Sequence, residues 1–262
     1  MSGALITAMA TLGAIGGFLA GLLGFGGGVL MFPLLYYVPP LLGLARLDAQ
    51  TVAAVVISQV FFSALVGGVA HLRSGHVRGR LAFTVGAVSA VGSFAGGIAS
   101  KWASERFLLL LFGIVTLCVL AMMFLPAPEH DDEARSMENL SLPRIPLACC
   151  SLATGIVIGF LGAGNFVFVP LLIYVFKVPT RAAIGSTLFI ALMNSATGFI
   201  GKLVTEQIPL MAVAVIFGAS LGAVAGEKAH RHASTQLLRI VYAVMVLLIT
   251  VRIWLTIAGI AA

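Results

Sequence analysis

Three amides and three hydroxyls sit in stretches that are otherwise almost wholly apolar. Ser58 and Gln59 lie in AQTVAAVVISQVFFSALVGG, Gly164 and Asn165 in GFLGAGNFVFVPLL, and Ser186, Thr187 and Asn194 in TRAAIGSTLFIALMNSATGF. A glycine run, GLLGFGGGVLMFPLL, closes on Gly26, Gly27 and Gly28. A helix that restarts after such glycines exposes unpaired N–H groups, and they and the helix dipole favour an anion. Neutral amides and hydroxyls add directed donors without a counter-charge. Thr187 and Asn194 are seven residues apart and share a helix face. Ser and Thr in membrane helices mostly bond to backbone or neighbouring helices, whereas a buried amide needs partners. The chemistry expected of Gly26, Gly27, Gly28, Ser58, Gln59, Gly164, Asn165, Ser186, Thr187 and Asn194 is therefore reversible binding of a small anion.

Other chemistries fit less well. A phosphate-binding Walker loop needs Gly-Lys-Ser/Thr, and no lysine follows Gly28. A dinucleotide fingerprint needs a preceding strand and an acid about 20 residues on; Asp48 has the distance but not the context. No buried Asp, His–Glu or Cys–His pair has catalytic spacing, so no enzyme activity and no catalytic residue is expected. His71, His76, His230 and His232 fall in loops or at segment ends, and no metal site or cofactor is proposed. Cys118, Cys149 and Cys150 read as reduced packing residues. Asp48, Glu105, Glu206 and Glu227 all lie near segment ends, which argues against a carboxylate proton relay and against an acid-ringed cation channel. Lys202 and Arg252, in the last third of their segments, are expected to snorkel to the interface.

The elements that position these residues follow from composition. Apolar residues make up 60% of the chain and charged residues 9%, with a mean hydropathy of +1.12. A soluble domain carries roughly a quarter charged residues. Several apolar runs reach the roughly 20 residues that cross a bilayer, and they are continuous rather than alternating, so helices are expected and not a barrel. The first segment lacks the basic start of a cleaved signal peptide, since no Lys or Arg precedes Arg46. The net charge of +6 comes from Lys and Arg scattered at segment ends, which fits membrane orientation and not nucleic-acid binding.

The expected fold is an all-α polytopic membrane protein with eight long spans, near 3–23, 49–71, 81–100, 106–126, 145–161, 183–203, 208–226 and 236–260. Two short broken-helix segments, near 29–44 and 166–178, complete it. Residues 126–144 carry Glu129, Asp131, Asp132, Glu133 and Glu138 and read as a polar linker between repeat one, 1–125, and repeat two, 145–262. The halves match in their glycine runs, where Pro33 answers Pro170. Gly92, Gly96, Ser104, Phe107 and Leu108 align with Gly222, Gly226, Ser234, Leu237 and Leu238. Small-xxx-small spacings at Gly13/Gly17/Gly21 and Gly155/Gly159, and at Gly92/Gly96 and Gly218/Gly222/Gly226, predict close helix packing. Arg73, Arg78 and Arg80 place the loop after the second long span in the cytoplasm. If each short piece crosses, Lys177, Arg181, Lys228 and Arg231 also land there, and the repeats are inverted, a common transporter plan.

The paired glycine runs, the stretch AAIGSTLFIALMNSATG and the turn HLRSGHV resemble the sulfite exporter (TauE/SafE) family of membrane anion permeases, over nearly the whole chain. The second run departs from the family pattern: Gly162-Ala163-Gly164-Asn165 is shorter than GxGGG, and Asn165 stands in place of a glycine. The resemblance implies a secondary carrier for sulfite, a sulfonate or sulfoacetate, coupled to a proton or sodium gradient. The expectation is thus a multi-pass protein of the cell (inner) membrane, with lipid and a small anion as partners. Rocking of the halves would alternate access to the anion. A passive anion channel is the alternative, distinguished by the absence of accumulation beyond the electrochemical gradient.

Overall fold

In the computed structural model, residues 3–23, 28–71, 79–123, 143–178, 180–230 and 235–260 are described. Gly26 and Gly27, most of the linker, and Arg73 and Arg78 lie outside these residues. Nine α-helices of 14 residues or more occupy the described stretches: α1 Gly3–Leu23, α2 Gly28–Leu41, α3 Ala49–His71, α4 Gly79–Ala99, α5 Glu105–Met123, α6 Arg144–Leu161, α7 Thr180–Val204, α8 Ala212–His230 and α9 Thr235–Ile257. Among the described residues there is no strand. A tight 3₁₀ turn, Ser100–Trp102, joins α4 to α5.

The helices run where apolar residues run and stop where the chain offers a cap. Asp48 accepts the N–H of Thr51 at 3.0 Å through Oδ2 and starts α3. Ser104 accepts the N–H of Phe107 at 3.2 Å through Oγ and starts α5. Both place a side-chain oxygen on N–H groups that a helix start leaves unpaired. Helix α6 stops at Gly162, whose φ of 69° is left-handed and whose N–H returns to Ile158 O at 2.8 Å. Leu81–Trp102 and Glu105–Met122 are long and apolar enough to cross a bilayer.

After α6 the chain does not resume a regular helix. Asn165–Val167 is 3₁₀, Phe168–Pro170 is α-helical and Leu171–Val175 is a π-helix. Such departures are rare and cluster at functional sites. This segment and α2 are each wrapped in apolar side chains. Phe32, Leu35 and Tyr36 of α2 pack with Val52, Val56, Phe112 and Ile253. Phe168, Leu172 and Ile173 pack with Val85, Ile158 and Ile190.

Glycines set the closest helix contacts, and the contacts come in matched sets. A Cβ on Gly17 would strike the carbonyl of Ala219, and one on Gly155 that of Ser89. Gly222 and Gly226 press on Ala14 and Phe18; Gly92 and Gly96 press on Leu152 and Ile156. Residue numbers rise together across each pair, so α1 runs parallel to α8 and α6 runs parallel to α4. Gly222→Val and Gly92→Val are each expected to wedge their helix pair apart and lower thermal stability in detergent, since the obstruction is backbone and not a flexible side chain. An unchanged midpoint in either variant would show that the pair yields easily.

Candidate functional site

The second break brings two of the amides together. Gly162 and Gly164, with φ of 69° and 135°, turn the chain through conformations that an L side chain rarely adopts. Gly164 precedes the new segment as its N-cap and offers no side-chain cap; its carbonyl accepts the N–H of Val167 at 2.9 Å, which leaves the N–H groups of Asn165 and Phe166 without an intrahelical carbonyl. Asn165 follows, 4% exposed, and its Oδ1 accepts Asn194 Nδ2 from α7 at 3.3 Å. Asn194 is fully buried, and its main-chain oxygen accepts Ser93 Oγ of α4 at 2.8 Å. The amide pair is thus held between the break, α7 and α4.

Helix α2 begins at the same place. Gly28, buried at the start of α2, lies against Ala163: a Cβ there would come within 3.1 Å of Ala163 Cα and 3.4 Å of Val60 Cγ2. Gly162 itself presses on Ala53 and Ile57 of α3, one turn before Ser58 and Gln59. The two short segments therefore meet tip to tip beside α3.

Hydrogen bonding separates the polar residues. Ser58 Oγ donates to Ala54 O and Thr187 Oγ1 to Ala183 O, both at 2.7 Å, so these two hydroxyls are committed to their own helices. Ser186, Gln59, Asn165 and Asn194 are not fully used. Gln59 donates through Nε2 to Ser63 Oγ at 3.1 Å. Its Oε1, Asn165 Nδ2, Asn194 Oδ1 and Ser186 Oγ are the buried side-chain polar atoms among the described residues that have no partner. Buried polar groups in folded proteins are nearly always paired, and each orphan costs about 1–3 kcal/mol.

One expectation about charge changes. Lys202 does not snorkel: it is fully buried, and its Nζ donates to Ser100 Oγ at 2.5 Å. Arg252, half-buried, lies over the ring of Tyr37, 5.1 Å from its centroid. At the same end of the molecule Arg46 Nη2 donates to Tyr36 Oη at 2.6 Å and to Glu105 Oε1 at 3.2 Å. The Tyr36 hydrogen bond, with Glu105 nearby, raises the pKa of the Arg46 guanidinium further. The pair tethers the end of α2 to the start of α5 but is largely exposed, so its stabilisation is small. Cys118 and Cys149 face outward with free thiols rather than packing in the interior.

The outer surface is as telling as the interior. Phe83, Phe217, Leu221 and Leu248 stand well exposed, Phe217 at 66%, while the amides and a lysine are buried. A helical chain with its apolar side chains outward and its amides inward is a membrane protein. It belongs to the sulfite exporter TauE/SafE family, whose model matches residues 9–253. Among its relatives is a protein of Xylella fastidiosa named "Probable membrane transporter protein", 33% identical over 178 residues. That match covers 67% of this chain and 66% of the relative. A protein of Bacillus subtilis described as a "Probable membrane transporter protein" is 24% identical, covering 92% of this chain and 94% of the relative. No solved structure matches the chain.

Proposed function

We propose that the protein is a multi-pass secondary transporter that moves a small sulfur-containing anion, sulfite or a sulfonate, across the cell membrane. The anion sits where the two short segments meet. The observation that carries this reading is the pair of buried donors without a partner among the described residues, Asn165 Nδ2 and Ser186 Oγ. Their unused capacity, with the uncapped start at Asn165, matches a ligand that arrives and leaves. Asn165 Nδ2 and the Ser186 hydroxyl supply donors to an oxyanion; the N–H groups around Gly28, Gly164 and Asn165 add backbone donors. Ser58 and Thr187 shape the wall rather than donate. The family name and the transporter names of the relatives support the class of activity.

An inverted repeat accounts for the helix directions. Helix α1 runs with α8, which starts at the end of the molecule where Gln50 meets Ala103 and Tyr37 meets Thr256. Helix α6 runs with α4, which starts at the opposite end. Equivalent helices of the two halves therefore point oppositely, as in many carriers with a midplane site. Arg80, Lys177, Arg181 and Lys228 then share one side, which the positive-inside rule makes cytoplasmic.

Reconstituted in liposomes, the protein is expected to accumulate labelled sulfite or a small sulfonate under a proton or voltage gradient. Flux that only follows the electrochemical gradient would identify a passive channel, and no flux of either anion would sink the proposal. Within the assay Ser186→Ala should impair transport several times more than Ser58→Ala, because only the Ser186 hydroxyl is uncommitted. Equal effects would remove Ser186 from the site.

A further inference from the structure

Lys202 is the buried charge-bearing side chain that anion binding at the amides does not use. It lies two turns of α7 beyond Asn194, about 12 Å along the axis, at the end where α4 gives way to the Ser100–Trp102 turn. The side chain is fully buried. Its recorded partner is one hydroxyl, Ser100 Oγ, which also lies 2.7 Å from Gly97 O and 2.9 Å from Gln207 Oε1. Gln207 Nε2 in turn donates to Gly97 O at 3.0 Å. The amine thus caps a small polar cluster that joins α4, α7 and the loop before α8.

Among the described residues no carboxylate answers it. Helix α4 carries no charged residue after Arg80, α6 none after Arg144, α7 none between Arg181 and Lys202, and α8 none before Glu227. The Ser100–Trp102 turn brings Lys101, which is exposed, and the turn after α7 brings Glu206, also exposed. Helix α5 opens with Glu105, engaged by Arg46, and Arg106; Asp48, exposed, precedes α3. Among the described residues the recorded ion pair is Arg46–Glu105. A buried charge lacking a partner is costly, and an anion drawn near it removes that cost. Proton binding at this amine and anion binding at the amides, about 12 Å along α7, therefore favour one another.

We propose that Lys202 couples proton movement to anion movement: Nζ takes up one proton as an anion enters the path and returns it to water as the anion leaves. Anion and proton then cross as a neutral load. The inference rests on the transport reading above, and the assay separates the two. Methanesulfonate, whose charge does not change near neutral pH, is the main probe, with sulfite as the second.

Wild-type protein in liposomes is expected to exchange labelled for unlabelled anion without a gradient, and to accumulate methanesulfonate when the outside is made acidic. Lys202→Met is expected to keep gradient-free exchange and lose acid-driven accumulation. A Lys202→Met variant that accumulates like wild type overturns the coupling role, as does a wild type that exchanges but ignores the proton gradient; in both cases the transport reading stands. If neither anion exchanges in wild type, both readings fall. Should Lys202→Met not fold, Ser100→Ala keeps the amine but removes its hydroxyl partner, and it is expected to shift the pH dependence of exchange. An unchanged pH profile overturns the proposal.

Discussion

Gly162→Ala is expected to lower the thermal midpoint of the detergent-purified protein by roughly 5–10 °C, through a cost of about 3 kcal/mol. Two independent effects add. The backbone at Gly162 is left-handed, with φ of 69°, which costs an L-residue about 1–2 kcal/mol by itself. The added Cβ would also run into Ala53 O and crowd the N–H of Ile57. Both are main-chain atoms of α3, so relief requires moving a helix and not turning a side chain. Gly43 supplies the control: its φ of 71° is equally left-handed, yet nothing lies within 4 Å of a Cβ there. Gly43→Ala should show only the conformational cost, and if the two variants melt together, the packing of the second break on α3 contributes nothing.

Asn194→Ala is expected to reduce anion transport roughly 10- to 100-fold, the equivalent of about 1.5–3 kcal/mol, because it releases Asn165, whose Nδ2 is the unpartnered donor that faces the anion. Its side chain donates to Asn165 Oδ1 and leaves Oδ1 unpartnered. Truncation removes both groups and frees Asn165 to turn. The helix contact does not depend on the side chain, because Ser93 Oγ reaches the main-chain oxygen of Asn194. The variant should therefore elute as a single folded species. Asn194→Asp keeps the shape and brings a negative charge to the anion, and it should be worse than alanine. A Michaelis constant and maximal rate unchanged in both variants would exclude Asn194 from the path.

Much of the helical pattern was legible because each helix is a single apolar run. The segment expected near 49–71 is α3, Ala49–His71, and that near 166–178 is the irregular segment Asn165–Val175. Asn165, Asn194 and Gln59 stood out for the same reason: an amide among apolar residues is costly, so its presence is informative. Ser58 and Thr187 were less readable. A hydroxyl can close onto the carbonyl four residues back within its own helix, and composition does not reveal whether it has. Lys202 misled by position, since a lysine near a helix end usually snorkels. What buries it is the turn at Ser100 folding over from α4, a contact between residues 102 positions apart, which no local spacing announces.

The packing of α1 on α8 and of α6 on α4 has a mechanical consequence. The opening helix of each half lies along the fourth helix of the other, glycine against backbone, so the two halves are woven and neither closes its own interior. Prying them apart would tear the tightest seams in the molecule. Any motion that exposes the amide pair first to one side and then to the other must instead carry interlaced bodies, each borrowing a strap from both halves.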